Sequence, residues 1–114
     1  MKVVNIGALE PKLLPKHDNV YSRRIWGPES GGKNCAVGYN YLFANGGAEM
    51  HSHDSEHIFI ILEGSCNYYD GENTFTFRKG QAFIVEPGDV HQVTGTGEED
   101  CQYITVTSPP AWKL

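Results

Sequence analysis

Short runs that either alternate polar and apolar residues or are apolar throughout dominate the chain, with glycine and proline between them. Residues 74–78 alternate, as a strand with one buried face does, and residues 57–62 are apolar, as in a strand covered on both sides. The one helix-compatible stretch, residues 9–14, is interrupted by Pro11. The pattern therefore predicts an all-β sandwich or barrel. The predicted strands are residues 20–26, 35–44, 48–53, 57–62, 65–69, 74–78, 82–86, 90–94 and 101–107.

Turn-forming residues separate these predicted strands. The Asp-Gly pair at 70–71 predicts a tight hairpin, and Gly46-Gly47, Lys79-Gly80 and the Pro-Gly-Asp at 87–89 predict further turns. Gly64 is expected to end the strand before it. No linker or repeat is visible, so we expect residues 1–114 to form one domain, with a lead-in at 1–19 and a tail at 108–114.

Charge and cysteine content exclude several classes of protein. Nine basic and fourteen acidic residues give a net charge of −5, which argues against nucleic acid or an anionic membrane surface as partner. The three cysteines form no CxxC pair, so we expect buried free thiols rather than disulfides or a thiolate zinc site. The first residues lack the pattern of a signal peptide, and a cytoplasmic location is expected.

Histidines carry the candidate chemistry. His51 and His53 are two residues apart, so in an extended strand both imidazoles face the same side and can reach one ion. His57 begins the next apolar strand, and His91 follows the Pro-Gly turn. Imidazole nitrogen suits many divalent transition metals. The alternative is that these are hydrogen-bonded core histidines without a metal. The fifth, His17, lies in a polar lead-in and is expected on the surface.

Two stretches resemble the sequence motifs of the cupins. Residues 47–64, GAEMHSHDSEHIFIILEG, are similar to the first motif (Gly, His-x-His, usually Glu, Gly), and residues 80–91, GQAFIVEPGDVH, to the second, which extends to about residue 95. The resemblance implies a double-stranded β-helix, a jelly-roll barrel. His57 stands where the family usually has Glu, four residues after His53, which implies a four-histidine metal site. The adjacent Glu56 is the rival ligand, although its spacing is off by one.

Four histidine ligands would leave the charge of a divalent ion (Fe, Mn, Ni, Cu, Co or Zn) uncancelled, which favours an anionic or chelating oxygen ligand. The resemblance therefore implies a metal-dependent enzyme acting on a small organic compound: a dioxygenase, isomerase, lyase or decarboxylase. The alternative is a non-catalytic module that binds or senses a metal or small ligand. The resemblance to the cupins also implies a homodimer, in which the tail with Trp112 could cover a partner's sheet edge. Candidate pocket residues are Tyr39, Tyr41, Phe59 and Tyr103.

Overall fold

The computed structural model describes residues 1–110, and in that part of the chain the regular secondary structure is almost entirely β. Two short 3-10 helices occur, at Ile6–Ala8 and Pro28–Ser30. The strands are β1 (Lys12–Leu13), β2 (His17–Trp26), β3 (Ala36–Ala48), β4 (Glu56–Tyr69), β5 (Thr74–Arg78), β6 (Ala82–Val85), β7 (Gln92–Gly95) and β8 (Cys101–Ser108).

Two long strands, β3 and β4, join the two sides of a barrel. The first half of β3 lies between β2 and β8, whereas its end reaches β7 through Gly47 and Thr94. The first half of β4 pairs with β6 and β8, and its second half pairs with β5 and β7. All of these pairings are antiparallel. The prediction of a single all-β jelly-roll domain is confirmed.

Glycines within the long strands were expected to end them, and this expectation is wrong. Gly46-Gly47 lies inside β3, and Gly64 lies inside β4, at a bulge where the pairing with β8 shifts register. Gly64 has φ +74°, and a side chain there would collide with the carbonyl oxygen of Asp100. Glycine inside a strand marks a bulge or a close backbone approach, and both apply here.

Other boundaries also differ from the predictions. Residues 48–53 are not a strand: β3 ends at Ala48, and His51 pairs with His91 as an isolated bridge. Part of the predicted lead-in belongs to the sheet, because β1 and the start of β2 fall within it. The hairpin at 70–71 is confirmed, and the Asp70 carboxylate accepts two backbone N–H groups of that turn, at 2.7 and 2.8 Å. Trp112 lies outside the described residues.

The interior of the barrel is packed with apolar side chains from both sides. Leu42, Ile61 and Val85 are among its fully buried members. Cys66 and Cys101 are buried free thiols, as predicted, whereas Cys35 is half-buried. Within residues 1–110, no helix has the length and apolar character needed to cross a membrane. The histidines of the two motifs adjoin this core.

Candidate metal centre

Two loops and the beginning of a strand position the motif histidines. His51 and His53 lie in the connection between β3 and β4, His57 is the second residue of β4, and His91 immediately precedes β7. The loops are tied together by backbone hydrogen bonds in both directions between His51 and His91, at 2.9 and 3.0 Å, and by one from Gly88 N–H to the His53 carbonyl, at 2.9 Å. The imidazoles are therefore held on a fixed backbone.

Three of the four histidines form a group with the dimensions of a metal site. His51, His53 and His91 each offer one ligand nitrogen, and these atoms all lie within 4.8 Å of one another. The ring centroids of His51 and His91 are 4.5 Å apart, and those of His53 and His91 are 4.9 Å apart. Ligands at this spacing can share one ion.

Backbone carbonyl groups fix the tautomer of each ring in this group. A carbonyl oxygen only accepts, so the Nδ1 that faces it carries the proton and the Nε2 keeps a free lone pair. Metal-binding histidines are commonly oriented in this way. The Nε2 of His53 is buried and has no hydrogen-bond partner among residues 1–110, a deficit that a bound cation would remove. The pairs are His51 with the Glu49 carbonyl (2.7 Å), His53 with that of Ser55 (3.3 Å) and His91 with that of Asp89 (2.8 Å).

Burial keeps these imidazoles in the form that binds metals. Removal from water lowers the pKa of His53 and of His91. Burial, with the neighbouring histidines acting in the same direction, lowers the pKa of His57 to about 3. Burial disfavours a charged imidazolium because a low-dielectric interior solvates charge poorly. At neutral pH these three rings are therefore neutral and can donate a lone pair.

His57 lies beside the group of three rather than within it. Its ring is 7% exposed and stacks on the His53 ring, with centroids 3.7 Å apart and planes 14° apart. Its Nε2 lies 3.1 Å from the Ser55 hydroxyl oxygen. The neighbouring Glu56 is exposed because strand alternation turns it to the opposite face. Of the two rival positions, only His57 thus faces the other histidines.

The histidines line a cavity of about 420 Å³ inside the barrel. Leu42, Phe59 and Val93 form apolar parts of its wall, and the exposed residues Lys16 and Met50 mark its opening. Cavities of this size hold small organic ligands. The site therefore combines a cluster of imidazoles with an apolar chamber.

Residues 42–107 match the sequence profile of the family described as "Cupin domain". This protein is a cupin.

Known relatives and solved structures agree with this assignment. The chain is 30% identical to auxin-binding protein 1 of Arabidopsis thaliana and 36% identical to auxin-binding protein T85 of Nicotiana tabacum, each match covering 57% of this chain. These matches cover 37% and 41% of the relatives, so the chain spans about two fifths of their length.

Two solved structures share the fold over nearly the whole chain. The polyketide cyclase RemF from Streptomyces resistomycificus has a TM-score of 0.86 at 21% identity, covering 100% of this cupin and 87% of RemF. A predicted oxalate decarboxylase from Thermotoga maritima has a TM-score of 0.81 at 18% identity, covering 94% of this cupin and 98% of that protein.

Aromatic residues proposed for the pocket are divided between two faces of the cupin barrel. Phe59 and Tyr103 line the cavity, but Tyr39 and Tyr41 line a groove on the outer face. Their hydroxyl groups donate to Gln102 Oε1 at 2.6 Å and to Asp100 Oδ2 at 2.8 Å, respectively. Alternation along β3 turns its even-numbered residues inward, so Asn40 and Leu42 face the cavity. Asn40 lies two residues before the apolar Leu42, so strand alternation alone could have predicted that Asn40 also faces inward.

His17 was expected on the surface, but the structure places it on the cavity wall of this cupin. Its ring is half-buried, with its centroid 6.3 Å from that of His51. Nδ1 lies 2.6 Å from the Pro15 carbonyl oxygen, so Nε2 has the free lone pair. Lys16 and Asn19, on either side, have φ of 59° and 51°, a left-handed conformation that is uncommon for non-glycine residues. The local sequence carried no signal for this placement, which depends on the pairing of His17 with Ala48.

Proposed function

We propose that this cupin binds one divalent transition-metal ion and is a metal-dependent enzyme acting on a small anionic or chelating organic compound. The supporting observation is the convergence of three histidine nitrogen atoms at a largely apolar cavity, together with a buried His53 Nε2 that has no partner among residues 1–110. His51, His53 and His91 would hold the ion. A bound divalent ion would act as a Lewis acid towards oxygen atoms of the substrate.

We propose His57 as the fourth ligand. It occupies the position of the fourth ligand in the motif, and its ring is in contact with His53. Among residues 1–110, its Nε2 is engaged only by the neutral Ser55 hydroxyl, in a bond of modest net strength that a metal bond can replace. Ser55 is fully buried, and its carbonyl and hydroxyl orient His53 and His57, respectively. Ser55 is thus a positioning residue for two ligands.

His17 extends the chemistry that this site can support. The motif histidines leave no general base if all of them bind the ion, but His17 lies on the same wall outside that set. Its Nε2 can accept a proton from a carbon next to a carbonyl group and return it. This arrangement favours proton transfer on enolisable carbonyl compounds over the other reactions considered. The fold shared with RemF, a polyketide cyclase, supports 1,3-dicarbonyl compounds as the first substrates to test.

Metal analysis of protein purified without an affinity tag tests the ion site. We expect about one transition-metal ion per chain, with much less in His51→Ala, His53→Ala and His91→Ala, and a weaker affinity in His57→Ala. His17→Gln is the matched control and is expected to keep the ion. Absence of bound metal, even after incubation with Mn, Fe, Co, Ni, Cu and Zn salts, would overturn the proposal.

Hydrogen–deuterium exchange at the α-carbon of ethyl acetoacetate tests the catalytic part. A positioned general base contributes roughly 100-fold or more to rate, so His17→Gln should slow the metal-dependent exchange by about that factor at an unchanged metal content. If the loaded protein binds 1,3-dicarbonyl compounds without any exchange or product, the non-catalytic binding function replaces the enzymatic one.

We also propose that the chain forms a homodimer. The outer face of β4, β6 and β8 carries adjacent aliphatic side chains: Ile58 pairs with Ile84 and Val106, and Ile60 pairs with Ile104. Ile60 is 38% exposed and Ile84 is 60% exposed. These five side chains are aliphatic, so two copies could bury apolar surface by apposing them, with Glu56 at the edge of the patch.

A further inference from the structure

A layer of buried polar side chains lies on the inner face of the barrel, beyond the histidines. The register places Ser22 opposite Asn40 and Asn40 opposite Tyr103, and these three are 3%, 2% and 4% exposed. Asn40 donates from Nδ2 to the Thr105 hydroxyl oxygen at 2.9 Å. Asn40, Tyr103 and Thr105 all line the cavity that contains the histidines. The cavity therefore has a second polar region.

Most of the hydrogen-bonding capacity of this layer is unused within residues 1–110. Apart from the bond between Asn40 and Thr105, the side chains of the layer make no hydrogen bond to the described part of the chain: the hydroxyls of Ser22 and Tyr103 and the Asn40 Oδ1 are unpaired there. The unpaired oxygen atoms of Asn40 and Tyr103 are not fully buried, and both residues line the cavity. The groups that line the cavity can be satisfied by a molecule bound inside it.

Gly38 allows three polar side chains of this layer to approach one another closely. An added Cβ would lie 2.8 Å from the Ser22 hydroxyl oxygen, 3.1 Å from Asn40 Oδ1 and 3.4 Å from the Thr105 hydroxyl oxygen. Three oxygen atoms from three strands thus surround a space that even an alanine side chain would crowd. A side chain at this position would therefore displace the polar groups of the layer.

The register gives the distance between the two polar regions. Along β8, Thr107 pairs with His57, Thr105 with Phe59 and Tyr103 with Ile61. A strand advances about 3.3 Å per residue, so Thr105 lies roughly 7 Å and Tyr103 roughly 13 Å beyond the level of His57.

An aromatic surface lies between the two regions. The Phe59 ring stacks with Phe83 at 4.5 Å and with Tyr103 at 5.3 Å between centroids. Aromatic pairs also favour edge-to-face contacts, so this group of rings suits a planar ring in the cavity.

We propose that the layer of Asn40, Tyr103 and Thr105 is a second recognition point, and that the ligand is a flat, bifunctional compound. One end carries a chelating pair of oxygen atoms, the other carries a hydroxyl or carbonyl oxygen, and a spacer the size of an aromatic ring lies across Phe59. Asn40 Oδ1 accepts from a ligand hydroxyl, and the hydroxyls of Tyr103 and Thr105 donate to a ligand oxygen. This inference rests on the proposed function, because the chelating end requires the ion.

Two probes with the same chelating end test the inference: 1-phenylbutane-1,3-dione and 1-(4-hydroxyphenyl)butane-1,3-dione. Calorimetry on the metal-loaded protein is expected to give about tenfold tighter binding of the hydroxylated probe, as one or two added hydrogen bonds provide. Tyr103→Phe and Thr105→Val should each reduce this preference, and Gly38→Ala should also reduce it by displacing Asn40 Oδ1 and the Thr105 hydroxyl. Tyr39→Phe, which removes a hydroxyl from the outer face, is the matched control and should retain it.

The two probes differ in acidity, and measuring both of them on every variant cancels the effect of this difference. Thermal unfolding verifies that each variant is folded. Equal affinity of the two probes for the wild-type protein would overturn the inference and leave the proposed function intact, as would a preference that survives in both Tyr103→Phe and Thr105→Val. Failure of either probe to bind protein that holds about one ion per chain would overturn the chelating ligand and, with it, this inference. Failure to bind any ion would overturn the proposed function itself.

Discussion

The stability of the metal-free chain should depend on pH through His57. Burial, reinforced by the neighbouring histidines, lowers the pKa of His57 to about 3, whereas an unfolded chain restores a pKa of about 6.5. The unfolded state therefore binds a proton that the folded state rejects. The contribution of His57 to the free energy of unfolding is fully present above pH 6.5 and is lost progressively as the pH falls from 6.5 towards 3.

The size of this effect follows from linkage. Each unit of difference in pKa corresponds to about 1.4 kcal/mol, so acidification from pH 7 to pH 4.5 should cost about 2.5 kcal/mol through His57 alone. Burial also lowers the pKa of His53 and of His91, and their contributions add in the same direction. For a domain of this size, such a loss is a large share of the total stability.

Urea unfolding in the presence of a chelator, at pH 7 and at pH 4.5, measures the effect. His57→Gln removes the titrating imidazole and keeps an amide that can hydrogen-bond to Ser55. The other titrating groups are present in both the wild type and this variant, so their effects on the free energy of unfolding cancel in the comparison. Between pH 7 and pH 4.5, the free energy of unfolding of the wild type should fall by about 2.5 kcal/mol more than that of the variant. Equal losses would refute the reasoning and mean that His57 is solvated or paired in the folded, metal-free protein.

Three further predictions concern the ion, the bulge and the dimer. Ser55→Ala should weaken metal binding about tenfold or more in a competition assay with a chromophoric chelator, because it releases His57, and an unchanged affinity would contradict the positioning role. Gly64→Ala should lower the free energy of unfolding by more than about 2 kcal/mol, because the added side chain is strained and collides with the backbone. Gly71, at φ +102° in open space, provides the control, and Gly71→Ala should lower the free energy of unfolding by about 1 kcal/mol. Equal losses of the two variants in urea unfolding would contradict the close backbone approach at Gly64. Ile84→Glu should convert a dimer into a monomer in light scattering, with Val3→Glu as the exposed control, and a wild-type monomer would exclude the dimer.

Local signals in the sequence predicted the parts of the fold that depend on near neighbours. The strand Thr74–Arg78 was predicted with its observed bounds, because alternation and the Asp-Gly turn are both local. Gly46 and Gly64 were taken as strand ends, since a glycine that breaks a strand and one that admits another backbone look alike in sequence. In the folded chain, the carbonyl groups of Asn19 and Asp100 approach Gly46 and Gly64, respectively. These contacts come from residues distant along the chain, so the local sequence does not reveal that the strands continue through the two glycines.

The candidate site was predictable to the extent that motif spacing encodes it. The grouping of His51, His53 and His91 follows from the motifs, but the sequence did not separate His57 from them. The aromatic residues of β3 resemble core residues, and only the parity of the strand in the folded barrel sends Tyr39 outward. His17 reaches the cavity through pairing of β2 with the end of β3, a contact between segments about thirty residues apart that no local pattern specifies.

One strand, β8, fixes the geometry that the proposed ligand must match. Thr107 lies beside His57, and Thr105 and Tyr103 follow on the same face, so the rise of the strand sets the separation between the histidines and the polar layer. Side-chain substitutions at either end leave this separation unchanged. A ligand that spans both regions gains contacts from each, so removal of either end of the site should weaken its binding. The cavity should therefore select ligands by length, since a shorter spacer reaches only one of its two polar regions.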